Sequence, residues 1–320
     1  MVRPKTILVT GCAGFIGSNF VNRFRKKYPA TKVVGIDDLS NGRKDAVNPE
    51  TIFYKGSILD GKLVDRIFEK HRPEYVFHFA ALPRVSFSHK FPRLSSEVNI
   101  IGTVTLLEMA NQYDVKRVIF SSSSSVYGGA KKMPTKESEN RPAPKSLYAV
   151  QKYSNEKFCK AFSKLFGLDT VCLRYFLAFG PGQHGDSPYS TVISAWLESL
   201  YFPKNKKAFI EGDGTQSRDF CYVDNIVMAN IQAMEADKDF GGEVINIANG
   251  EQTTLNQVRA LIEEYTGKKL KLEHRPVRLG DVRHTHADIS RAKRLLGYNP
   301  KIKFEDGLKR TIKWFESRTS

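Results

Sequence analysis

Thr6-Ile7-Leu8-Val9-Thr10-Gly11-Cys12-Ala13-Gly14-Phe15-Ile16-Gly17 decides how the rest of the chain is read. Its first five residues, rich in β-branched side chains, predict a buried strand, and Ile16, Phe20 and Phe24 at helical spacing predict a helix after it. Between the two, glycine recurs at every third position. Glycine lets the backbone turn tightly and approach a pyrophosphate at the positive N-terminus of a helix, while the third glycine permits close packing of helix on strand. Asp37 closes the next apolar run, twenty residues beyond Gly17. A carboxylate there accepts hydrogen bonds from adenosine ribose hydroxyls and repels a 2′-phosphate, so the stretch predicts a dinucleotide site for NAD rather than NADP.

Working outward, strand candidates at 6–10, 33–37, 52–54, 75–79, 117–121 and 169–174 alternate with amphipathic stretches, the pattern of βα units closing a parallel sheet. The expected fold is α/β, a Rossmann-type doubly wound parallel sheet with a smaller α/β substrate-binding lobe. Residues 1–175 form the expected NAD-binding domain. The Gly/Pro-rich run from Gly180 to Pro188 marks a loop that leaves the sheet. A helix from Val223 to about Ala236 and an apolar strand Val244–Ile247 are expected to return to the first domain, so that 223–247 rejoins it and the lobe comprises 176–222 and 248–320.

A chain of 320 residues, 41% hydrophobic, has enough apolar surface for a large core. Cys12, Cys159, Cys172 and Cys221 are far apart and form no CxxC pair, which argues against zinc and a disulfide framework and for the reduced cytoplasm; no metal is expected. No apolar run approaches the roughly 18 residues of a membrane span, and the first strand begins within a few positions of Met1, so neither a membrane partner nor a targeting segment is expected. The net charge of +16 raises nucleic acid as a partner. The excess is scattered, however, in groups such as Lys131/Lys132, Lys204/Lys206/Lys207 and Lys268/Lys269/Lys271, with no aromatic-interleaved stripe. It reads as a solvated basic surface, and no nucleic-acid partner is expected.

Tyr148-Ala-Val-Gln-Lys152 places a phenol and an ammonium on one face of a helix. A free tyrosine titrates near about 10, but a neighbouring cation favours the phenolate and makes it a usable base. The serine run Ser121–Ser125 ends the preceding strand, so a hydroxyl can share a substrate oxygen with Tyr148.

With these residues in place the chain resembles the extended short-chain dehydrogenase/reductase family, and within it the UDP-sugar 4-epimerases, especially those acting on UDP-N-acetylhexosamines. The resemblance covers nearly the whole chain. It is carried by Thr10–Gly17, Asp37–Gly42, Phe77–Ala81, Ser121–Gly128, Tyr148–Lys152, Arg174–Phe176, Gly212–Phe220 and Gly280–His284. It implies an isomerase with Ser123 as the catalytic hydroxyl, Tyr148 as the base and Lys152 as the residue that binds nicotinamide ribose and lowers the tyrosine pKa. Tyr148 takes the 4-hydroxyl proton while C4 passes hydride to NAD; the 4-keto sugar turns over and is reduced on its other face. The implied cofactor contacts are Gly11, Gly14, Phe15, Ile16 and Gly17; Asp37, Asp38, Ser40, Asn41 and Gly42; Ser57 and Ile58; Phe79, Ala80 and Ala81; and Asn99, Ser121 and Phe176, with Tyr148 and Lys152. The implied substrate contacts are Ser123 and Leu177 at the sugar, Val192, Trp196, Phe209, Ile210 and Glu211 at the uridine, Arg218 and Arg278 at the pyrophosphate, and Asp281 and Thr285.

Dehydratases of the same family carry an Asp-Glu pair after the catalytic Thr. Here those positions are Ser124 and Ser125, which removes the proton carriers for elimination and favours epimerisation. Thr285 stands where a bulky tyrosine excludes N-acetyl groups in glucose-only relatives, which admits UDP-GlcNAc/UDP-GalNAc alongside UDP-glucose/UDP-galactose. Leu177 replaces the usual substrate-binding Asn, Ser57 replaces an Asp that meets adenine, and Pro83 replaces a polar residue near nicotinamide. The alternatives are a UDP-glucuronate 4-epimerase, with Arg84 or Arg278 meeting the C6 carboxylate, another sugar-nucleotide dehydrogenase of the family, and a non-catalytic NAD-binding module. The resemblance also implies a homodimer packed through helices at 95–113 and 148–166.

Overall fold

The computed structural model describes residues 3–83, 85–186, 190–204, 207–277 and 282–319. Thr6–Thr10 forms β1, followed by α1 (Phe15–Lys27), β2 (Lys32–Asp37), β3 (Ile52–Lys55), α2 (Gly61–His71) and β4 (Tyr75–His78). The short helices α3 (Val85–Lys90) and α4 (Pro92–Ser96) lead through a π turn at Glu97–Ile101 into α5 (Gly102–Gln112), then β5 (Arg117–Ser123), α6 (Leu147–Phe166) and β6 (Thr170–Tyr175). Every residue of β1 is buried, because a central parallel strand is covered on both faces and cannot alternate apolar with polar.

Seven strands form the main sheet in the order Glu243–Ile247, β6, β5, β4, β1, β2, β3. All six pairings are parallel. Chain order reverses at β1, which lies between β4 and β2, and a crevice opens beyond the carboxyl ends of such strands. Phe20 and Phe24 of α1 pack with Phe77 of β4 in the core on one face; Val64, Phe68, Leu106 and Cys159 fill the other. A third core joins Trp196 of α7 (Val192–Tyr201) to Val258 and Ile262 of the helix Leu255–Thr266 and to Leu308 and Phe315 of the helix Phe304–Ser317.

Several boundaries move by one or two residues. β5 runs two residues past the expected end, because its parallel register with β6 continues through Ser123↔Tyr175, and the rest of the serine run coils into a 3-10 turn at Ser124–Tyr127. The helix at Val223 ends at Glu235, and Glu243–Ile247 pairs with β6 at the sheet edge. No helix among the described residues is long and apolar enough to cross a membrane.

Candidate active site

A cleft of about 680 Å³ opens at the strand-order reversal. The first turn of α1 forms its floor. Gly11 has φ of +70°, and a Cβ there would stand 2.7 Å from the Ala80 nitrogen; a Cβ on Gly17 would stand 2.1 Å from the Gly11 oxygen. Larger residues at either position would break the turn. α1 has no side-chain cap at Gly14 and no acidic residue in its first turn, so its N-terminal N–H groups are left to an anion.

β2 delivers Asp37 to the same cleft. Its carboxylate accepts from the Ala13 nitrogen at 2.9 Å and the Leu39 nitrogen at 2.8 Å. Burial raises its pKa above the ordinary value, and those two backbone donors oppose the rise. Gly14–Gly17, Asp37, Asp38, Ser40–Gly42, Ser57, Ile58 and Phe79–Ala81 all line the cleft with Gly11, Ser121 and Phe176. The glycine cradle, the uncapped helix and the carboxylate at the end of β2 fit NAD.

Ser146 caps the start of α6, its hydroxyl accepting from the Ala149 nitrogen, so the Tyr148–Lys152 spacing lies within one helix. Both residues line the cleft, as does Ser123. The Ser123 hydroxyl oxygen accepts from the Ser125 nitrogen at 3.2 Å and the Ser125 hydroxyl at 2.9 Å, which leaves its own hydrogen to donate into the cleft. Lys152 is buried; Nζ donates to the Ser121 carbonyl at 2.7 Å and stands 5.9 Å from the Tyr148 ring centroid. Burial lowers its pKa to about 8. Beside it, His78 is held between Thr10 and Thr103 and kept neutral, its pKa lowered by burial, and by the Lys152 charge, to about 3.

One turn further along α6, Glu156 is buried. It accepts from Ser122 Oγ at 2.6 Å and from Arg174 Nε at 2.8 Å and Nη2 at 2.7 Å. Through these contacts Glu156 ties α6 to β5 and β6.

Not every expected contact reaches the cleft. Asn99 is absent from its lining: its amide binds the Leu82 nitrogen and oxygen and the Gln151 side chain, so it holds the loop after β4 in place. On the strand Ala208–Glu211 burial alternates, turning Ile210 into the third core, while Phe209 stacks under Arg275; neither they nor Glu211 line the cleft. Val192 and Trp196 pack in that core as well, the Trp196 indole donating to the Phe209 carbonyl at 2.9 Å. Leu177, Arg218 and Thr285 do line the cleft. Arg278 and Asp281 lie outside the described residues, as does Arg84.

The structure also adds residues. Gln183, His184 and Asp186 line the cleft because the Gly180–Asp186 loop folds back over α1, and Arg43 lines it from the segment after β2. Asn19 Nδ2 donates to the Pro181 carbonyl at 2.9 Å, and Arg43 meets Asp186 at 3.9 Å. The Gly/Pro content of that loop signalled an excursion from the sheet but not its return. Asp219 fastens the opposite segment, accepting from the backbone nitrogens of Asn249, Gly250 and Ala287 at 2.9, 3.2 and 3.1 Å. Burial pushes its pKa up to about 6 against those three donors.

The model of the NAD dependent epimerase/dehydratase family matches residues 7–248. Among solved structures, the chain is similar to UDP-glucose 4-epimerase from Thermotoga maritima with UDP-glucose, at 40% identity and TM-score 0.92, covering 98% of this chain and 100% of that one. It is similar to UDP-N-acetylglucosamine 4-epimerase from Methanobrevibacter ruminantium in complex with UDP-N-acetylmuramic acid, at 38% identity and TM-score 0.90, covering 99% and 100%. It is also similar to UDP-glucuronic acid 4-epimerase from Bacillus cereus with UDP-glucuronic acid and NAD, at 33% identity and TM-score 0.87, covering 98% and 99%.

Proposed function

The chain belongs to the NAD dependent epimerase/dehydratase family, and from that premise we propose that it is an NAD-dependent 4-epimerase of UDP-hexoses, taking UDP-GlcNAc/UDP-GalNAc, UDP-glucose/UDP-galactose or both. The observation that carries this reading is the meeting of Ser123, Tyr148 and Lys152 with the glycine cradle and Asp37 in one cleft, with serine rather than carboxylate at 124 and 125. NAD, when bound, supplies a reversible acceptor for the C4 hydride. The rest is the work of the chain. Tyr148 removes the 4-hydroxyl proton and later returns it; Lys152 stabilises the phenolate; Ser123 donates its free hydrogen to the same oxygen. Arg218, with Arg278, binds the pyrophosphate through guanidinium hydrogen bonds. Thr285 leaves room for a 2-acetamido group.

A second reading, UDP-glucuronate 4-epimerase, draws on the Bacillus cereus likeness and on Leu177, which cannot offer the amide that a neutral hexose site uses. Purified protein with NAD and each of UDP-GlcNAc, UDP-glucose and UDP-glucuronate, followed by proton NMR, separates the two. The galacto epimer of a neutral sugar at equilibrium without net NADH supports the first; conversion of UDP-glucuronate alone replaces it with the second. Tyr148→Phe should lower turnover about 10²–10⁴-fold with the fold intact, and retained turnover would exclude Tyr148 as base.

The same reading includes a homodimer and a cytoplasmic setting. The four cysteines are free and buried, as a reducing compartment allows. Leu147, Val150, Phe158 and Leu165 form one exposed apolar stripe along α6, and Phe91, Leu94 and Ile101 expose apolar surface on the preceding helices, a face suited to a four-helix contact between two copies.

A further inference from the structure

His284 lines the cleft and has no role in the mechanism above. It sits on a segment bridged to the strand Ser217–Arg218: the Ser217 nitrogen donates to the Arg283 carbonyl at 3.0 Å and the Thr285 nitrogen to the Ser217 carbonyl at 3.1 Å. This frame sets the ring beside Ser217, whose Oγ lies 2.9 Å from His284 Nδ1. Gln252 Nε2 donates to the same Oγ at 3.1 Å. The Ser217 hydroxyl, accepting from the Gln252 amide, keeps its one hydrogen available for Nδ1. In the tautomer in which Nδ1 accepts it, the imidazole carries its own hydrogen on Nε2, as a donor. Nε2 has no hydrogen-bond partner among the described residues.

Arg218, next along the same strand, also lines the cleft, its Nη1 anchored on the Ser217 and Arg283 carbonyls, both at 3.0 Å. Arg218 thus follows Ser217, the residue bridged to His284, and the guanidinium and the imidazole line the same cleft. We propose that His284 is a diphosphate-binding residue: Nε2–H donates to a phosphoryl oxygen of the nucleotide sugar beside Arg218, and Ser217 with Gln252 holds the imidazole in the tautomer that makes it a donor. The inference rests on the UDP-sugar reading.

Titration calorimetry with UDP, and competition by uridine, on the wild-type chain, His284→Ala and His284→Gln tests it. A hydrogen bond to a charged acceptor predicts that His284→Ala weakens UDP and UDP-sugar alike by about tenfold or more, spares uridine, and raises KM more than it lowers kcat. His284→Gln, whose amide offers a donor in place of Nε2, keeps most of the affinity. Unchanged UDP affinity in His284→Ala overturns the proposal, as does a loss confined to UDP-sugars, which would move His284 to the hexose. A wild-type chain that binds no UDP at all would fail the UDP-sugar reading itself, an outcome distinct from both.

Discussion

Lys152 has two demands on it that pull apart. It must be buried to stand under Tyr148, and burial lowers its pKa to about 8. Its ammonium is present below that value and lost above it, and only the ammonium favours the Tyr148 phenolate. Turnover in the proposed reaction should therefore hold below about pH 8 and fall as pH rises through it. Arginine stays charged throughout this range, so Lys152→Arg, where it keeps any turnover, should lose that alkaline limb. A pH–rate profile of the two proteins checks this; identical alkaline limbs would show that Lys152 is not the group that titrates. His78 serves the arrangement by staying neutral, since a second buried cation beside Lys152 would lower its pKa further.

At the scale of elements, α6 is unusual in burying polar side chains. Gln151, Lys152, Asn155 and Glu156 all face inward. Most of their polar atoms are matched: Asn155 Nδ2 to the Asn99 carbonyl and Thr103, Gln151 to Asn99, Ser95 and Ser96, and Glu156 to Ser122 and Arg174, while Asn155 Oδ1 has no partner among the described residues. Such a face specifies one rotation of the helix, because any other leaves buried groups unpaired. Glu156→Ala strands Arg174 as an uncompensated buried cation and should cost about 3–5 kcal/mol in urea unfolding. It should also lower turnover, since Ser122 sits between two residues that line the site. A cost below about 1 kcal/mol would mean that the pair contributes little to positioning α6.

At the scale of the molecule, the proposed dimer rests on the apolar face of α6 and its neighbours. Leu165 is 70% exposed, Phe166 57% and Ile101 55%, the apolar surface on which that proposal draws. Light scattering at micromolar concentration should report a dimer, and Phe158→Glu with Leu165→Glu should report a monomer, because two like charges facing their copies across a symmetric contact repel. A wild-type monomer would remove the proposed dimer.

What the sequence by itself determined is what lies within one strand, one turn or one helix. The glycine cradle between β1 and α1, Asp37 at the end of β2, and Tyr148 and Lys152 four residues apart are local patterns whose geometry follows from backbone periodicity alone, and all of them meet in the cleft. The tertiary structure decided what depends on distant partners. Asn99 turns to Leu82, seventeen residues back, rather than to the cleft. Ile210 faces the core because its strand alternates, a choice set by what packs on either side. Ser217, Gln252 and His284 form a relay across separations of 35 and 67 positions. Spacing along a chain fixes direction within an element, but which elements come together is settled by packing and register, and the substrate half of this cleft is built almost entirely from such meetings.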